Sequence, residues 1–171
     1  FILDDFGARA SYYLCENRDY SIERSVISLI NSIKNEYGIT NILAGGSSKG
    51  GYAALYFGIK YGFNHIIAAS PQYRLGDYLL KTTNSQAITT FMVGGHGEED
   101  RDYLNRIMEN MIAESEYKPN ILIHVGEGEH HYKNHVKPLM KALDNKGIKY
   151  NLDLGKYDKH ADVAIFYPPF L

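Results

Sequence analysis

One hundred and seventy-one residues, 44% of them apolar, are enough for one domain with a real hydrophobic core. A net charge of -2 without a long basic run leaves no footprint for nucleic acid or an anionic membrane surface, and no apolar run approaches the roughly 20 residues of a membrane span. Cys15 is the single cysteine, so no intrachain disulfide framework exists, and the balance leans to a cytoplasmic protein.

The sequence opens at Phe1, directly inside an apolar run and without a signal peptide, so the expectation is a fragment of a longer protein. Phe1-Ile2-Leu3 reads as a buried strand running into the turn Asp4-Asp5-Phe6-Gly7. Ser11 to Cys15 is a second β-prone run, in which Cys15 is expected as a buried, inert side chain. Ser21 then has the character of a helix cap. Ile22, Val26, Leu29, Ile30 and Ile33 follow at helical spacing, and Gly38 stands where the helix should stop.

Residues 41 to 56 organise the rest. Ile42-Leu43-Ala44 predicts a short strand, Gly45 to Gly51 a glycine-dense turn, and Tyr52 onward a small-residue helix. The turn contains Gly46-x-Ser48-x-Gly50, the pattern of a nucleophile elbow, in which a serine sits at a strained strand-to-helix corner and small neighbours leave room for it. Ser48 is therefore the candidate nucleophile. The N–H of Lys49 is the candidate oxyanion donor, with a second N–H expected from the early turn, at Asp5 or Phe6. A phosphate-cradling loop is the rival reading, but it wants Ser or Thr after its lysine, and Gly50 follows Lys49.

After a helix closed by Gly62, His65 to Ala69 predicts the next strand. A strand, helix, strand, helix rhythm implies parallel strands in a doubly wound sheet. From about 74 to 118 the rhythm breaks. Lys81 to Thr90 is polar and threonine-rich, Gly94-Gly95-His96-Gly97 makes a loop, and Leu104, Ile107, Met108, Met111 and Ile112 mark one amphipathic helix. This insertion is a candidate lid over the carboxyl ends of the strands, or simply a helix covering one face of the sheet. Asn120 to Gly126 predicts a central strand, Val136 to Leu143 a helix with Pro138 in its first turn, and Tyr150 to Leu154 a strand near the sheet edge.

A serine hydroxyl needs a base, and His160 lies on the loop after the last strand, on the same sheet edge as Ser48. Its orienting carboxylate is sought on the loop after the preceding strand. Three residues beyond the strand-ending Gly126 stands Glu129, preferred over Glu127, with Asp77 and Asp162 as further alternatives. The order serine, acid, histidine is that of the α/β-hydrolases. His124, His130, His131 and His135 with Glu127 and Glu129 are residue types that suit zinc. No H-E-x-x-H pattern is present, however, and a strand-to-helix boundary falls among them, so neither metal nor cofactor is expected.

Ala44 to Ala54, Gly126-Glu127-Gly128-Glu129-His130-His131-Tyr132 and Lys159-His160-Ala161-Asp162 together resemble the XcbB/CpsF capsular polysaccharide biosynthesis family. That family is related to the acetyltransferase-like component of the accessory Sec export system. The resemblance spans nearly the whole chain. It implies a single three-layer α/β-hydrolase-type domain that acts as a serine esterase or O-acyltransferase on ester groups of cell-surface or capsular glycans, with Ser48, Glu129 and His160 as the triad. The alternative is a non-catalytic binding or assembly module that keeps the hydrolase shell.

Overall fold

The computed structural model describes residues 2–5 and 10–170. Its packing divides the chain into two compact units, Phe1–Thr40 with Leu75–Ile107, and Asn41–Arg74 with Met108–Leu171.

The first unit contains helix α1, Ser21–Glu36, which buries Ile22 and Val26 while Leu29 and Ile33 on the same stripe remain exposed. Neither expected strand before it is present among the described residues: Ile2 and Leu3 are irregular and Leu3 is exposed, whereas Ser11 to Cys15 makes a turn. Tyr12 and Tyr13 take positive φ there, a conformation that side-chain preference does not reveal, and the buried Asp4 carboxylate accepts both the N–H and the hydroxyl of Ser11.

Asn17 and Arg18 donate backbone hydrogen bonds to Phe91 and Met92, the latter buried near the end of a helix that the polar composition of this stretch did not announce. In chain order these later elements are β1 (Leu43–Ser47), α2 (Lys49–Lys60), β2 (His65–Ala69), α3 (Leu75–Asp77), α4 (Gln86–Val93) and α5 (Glu98–Glu114).

The second unit holds the sheet. Strands β1 and β2 are joined by β3 (Asn120–Gly126) and β4 (Tyr150–Gly155) in the order β1-β2-β3-β4, every pair parallel, as the alternation of strand and helix predicts. The register aligns Gly46 with Ala68, Ala68 with Ile123, and Ile123 with Leu152. Ile66, Ala68, Ile123 and Val125 are buried on one pleat, where Gly58 of α2 lies so close that an added Cβ would press on the Ile66 side chain. The opposite pleat places Ile67 and Ala69 against Tyr157, Val163 and Tyr167, the last two from the short helix α7 (Val163–Phe166) and the residue after it. Helical elements thus flank both faces of a parallel sheet, the architecture of the α/β-hydrolase type.

Helix α6, Lys137–Lys146, continues from a π-helical segment at Tyr132–Val136. Pro138 lacks an N–H to bond the preceding turn, and a wider turn just ahead of it is a way to absorb that loss. No helix among the described residues is long and apolar enough to cross a membrane.

Parallel pairing has one consequence for function. The carboxyl ends of all four strands lie along one edge, so the segments that follow them, beginning at Ser48, Ser70, Glu127 and Lys156, converge there.

Candidate active site

Ser48 sits between β1 and α2 at φ 52 and ψ -116, a backbone conformation that costs a non-glycine residue on the order of 1–3 kcal/mol. Two backbone hydrogen bonds hold it, from its own N–H to the carbonyl of Ala69 at 2.8 Å and from Tyr52 N–H to its carbonyl at 3.0 Å. A Cβ added at Gly46 would lie 2.8 Å from the Cα of Gly50, and one at Gly51 would lie 3.0 Å from the carbonyl oxygen of Ala69. The glycines are therefore what lets strand and helix approach at this corner. Lys49 opens α2 directly after the serine.

The serine hydroxyl lies 3.0 Å from Nε2 of His160, and Nδ1 of the same ring lies 2.5 Å from Oε1 of Glu129. The structure thus brings together Ser48, His160 and Glu129, three residues separated by 112 and 31 positions in the chain. His160 begins a short 3-10 turn, and the core residue Tyr157 anchors the loop that carries it. Glu127 is exposed. Asp77 is engaged in the first unit by Lys81, Arg101 and Asn105. Phe6 lies outside the described residues.

Glu129 is buried and accepts from several sides. Ser70 donates its hydroxyl to Oε2 at 2.6 Å, and Nδ1 of His131 lies 3.0 Å from Oε1. Burial pushes this carboxyl up, but the hydrogen bonds from His131, His160 and Ser70 outweigh it and hold the group well below the ordinary carboxylate range. An ionised Glu129 can only accept, so the Nδ1 of His160 carries its proton and its Nε2 is left to accept from Ser48.

Three participants stood outside the expected triad. Ser70, at φ 42, directly follows β2; Gln72 follows two residues later, with its amide nitrogen 3.0 Å from the hydroxyl of Ser48; His131 is fully buried. Their only signal was position, since Ser70-Pro71-Gln72 leaves the carboxyl end of the strand beside the elbow. Behind them, the buried His124 is held between Asp153 and the hydroxyl of Tyr157. The histidine cluster read from the sequence separates accordingly: His130 is exposed, and His135 accepts backbone N–H bonds from Tyr73 and Arg74. Glu129, His131 and His160 keep ligand atoms within 4.8 Å of one another and are of a type that could hold a metal ion. Here hydrogen bonds and charge contacts join them.

A parallel sheet with a serine at a strained strand-to-helix corner defines a protein of the α/β-hydrolase type. No protein-family model and no curated protein matches the chain. Among solved structures it is similar to the capsule O-acetyltransferase of Neisseria meningitidis serogroup A, at 28% identity over 95% of this chain and 67% of that one, with a TM-score of 0.78. It is also similar to the Glycosylation Associate Protein complex of Streptococcus agalactiae, at 16% identity over 95% of this chain and 33% of that one, with a TM-score of 0.79. A third likeness is to FphF, a fluorophosphonate-binding serine hydrolase of Staphylococcus aureus, at 17% identity over 91% of this chain and 64% of that one, with a TM-score of 0.66. The last two likenesses speak for the fold. The first likeness agrees with the capsule-related family that the sequence resembles.

Proposed function

We propose that the chain is a serine-dependent acyl-transferring enzyme, an esterase or O-acyltransferase, that works through an acyl-enzyme on Ser48. The observation that carries this reading is the line of hydrogen bonds from Glu129 through His160 to Ser48 at 2.5 and 3.0 Å. As Ser48 Oγ attacks an acyl carbonyl, its proton passes to Nε2 of His160 and is then given to the leaving group. Glu129 holds the ring in the tautomer that can accept and stabilises the imidazolium that forms. The N–H of Lys49, at the start of α2, faces the oxyanion.

The acceptor is a hydroxyl, either water or a sugar of a cell-surface or capsular glycan, by likeness to the capsule O-acetyltransferase. A mutant of that acetyltransferase has been solved in complex with CoA, so an acetyl thioester is the donor to test alongside acetyl esters. The experiment offers acetyl-CoA and 4-nitrophenyl acetate with and without a capsular oligosaccharide. Turnover that requires the sugar marks a transferase, turnover without it an esterase, and turnover unchanged by Ser48→Ala removes the reading.

A further inference from the structure

Glu129 is connected to Ser48 twice. One arm runs through His160. The other runs from Oε1 of Glu129 to Nδ1 of His131 at 3.0 Å, from Nε2 of His131 to the amide nitrogen of Gln72 at 3.2 Å, and from that nitrogen to Oγ of Ser48 at 3.0 Å. The two arms close a ring of five residues. Donor and acceptor roles around it are set by chemistry, because the carboxylate only accepts. His131 therefore presents Nδ1–H to Glu129 and a bare Nε2 to Gln72, which must answer with N–H. The second N–H of the same amide goes to Ser48. That hydroxyl, already receiving one donor, has its own proton left for His160.

Gln72 is fully buried, and its Oε1 finds no hydrogen-bond partner among the described residues. Turning the amide over would not relieve the site. The turned carbonyl would face Nε2 of His131, another acceptor. The amide is thus held in the orientation that serves Ser48. Burial, followed by the nearby charges of His160 and His130, pulls His131 below the ordinary imidazole range against the pull of Glu129. This keeps the ring in the neutral form that can accept from Gln72.

We propose that Gln72 is a further catalytic residue, whose amide N–H holds the oxygen of Ser48 as its proton leaves, and that His131 is the positioning residue that fixes this amide. During acylation the bond from Oγ to the acyl carbon forms, the bond to the leaving group breaks, and the proton passes from Oγ to His160. No proton leaves Gln72, whose N–H stabilises the developing charge on Oγ. The same contact supports Oγ when it departs from the acyl group in the second half-reaction. The proposal rests on Ser48 being the nucleophile.

The test is the rate of Ser48 acylation by 4-nitrophenyl acetate, read as the burst of nitrophenol, with fluorophosphonate labelling in parallel and thermal melting as the check on folding. Gln72→Ala should slow the burst roughly 10- to 100-fold, somewhat less than the loss typical of an oxyanion donor. Gln72→Glu keeps the shape but sets an acceptor against Oγ, and should be at least as slow. His131→Ala should slow the same step, His131→Gln should restore it in part because its amide can both donate and accept, and the Gln72→Ala, His131→Ala double variant should be no slower than Gln72→Ala alone. Folded Gln72 variants with wild-type bursts, or single effects that multiply in the double variant, overturn the proposal while leaving Ser48 as nucleophile. A wild type that is never acylated at Ser48 overturns both.

Discussion

The imidazole rings of His131 and His160 stack face to face, with centroids 4.0 Å apart and planes 10° from parallel. Both present Nδ1 to one oxygen of Glu129. Two imidazolium ions in that arrangement would repel across a short, buried gap, so the site tolerates one charge on the pair. In the proposed mechanism the ring that borders Ser48 is the one that gains it.

Acid should weaken the fold through this cluster. Folding holds Glu129 ionised and His131 neutral, so at both groups the unfolded chain binds more protons, and stability rises with pH wherever either titrates. The share from His131 is complete above its unfolded value of 6.5, and that from Glu129 above 4.5; each is lost as pH falls toward its depressed folded value. Melting temperature should therefore drop from about pH 7 to about pH 3, and the gap between wild type and Glu129→Gln should narrow below the ordinary carboxylate range. A gap that stays constant across that range contradicts this linkage.

Removing the proposed base or its proposed orienting acid should cost turnover far more than binding. His160→Ala and Glu129→Gln are each expected to lower kcat by roughly 10⁴-fold, with little change in KM, because both act on the proton in transit. Steady-state kinetics on the same acetyl ester checks this. Near-normal kcat in Glu129→Gln would hand the orienting role to another group.

Gly46→Ala should damage both folding and chemistry. The new methyl would press on the backbone of Gly50, with a separation of 2.8 Å from its Cα, and neither backbone segment can step aside without moving Ser48. A loss of roughly 1–3 kcal/mol, read by chemical denaturation, is expected together with loss of probe labelling. Gly50→Ala, whose Cβ meets nothing within 4 Å, is the matched control and should be milder.

Cys15 should be silent in the folded protein. Burial, aided by the negative charge of Glu23, pushes its thiol up to about 12, and its sulfur donates to the carbonyl of Met92. Ellman's reagent should find no reactive thiol until the protein is unfolded. Rapid reaction in the native state would place the side chain outside the core.

Strands β2 and β3 were legible because each is a short apolar run closed by serine or glycine, whereas β1 runs on through Gly45, Gly46 and Ser47, which the sequence reads as turn. His65–Ala69 and Asn120–Gly126 begin and end where the sequence predicts. The meeting of Ser48, Glu129 and His160 at one edge was legible because each follows the carboxyl end of a parallel strand. Gln72 and His131 were not, since a glutamine and one histidine among seven carry no spacing rule. Their roles come from hydrogen-bond directions that exist only once the loops have met. Helix α4 escaped because Lys81 to Thr90 is polar and threonine-rich, and the threonine at 89 is buried only through tertiary packing. The turn at Tyr12 and Tyr13 escaped because aromatic side chains at positive φ contradict local preference.

The most direct measurement is the intact mass of the protein after treatment with a fluorophosphonate, followed by peptide mapping of the adduct. The account predicts one stoichiometric adduct located on Ser48, absent in Ser48→Ala and strongly slowed in His160→Ala. A folded wild-type protein that takes up no adduct, or carries it on another residue, contradicts it.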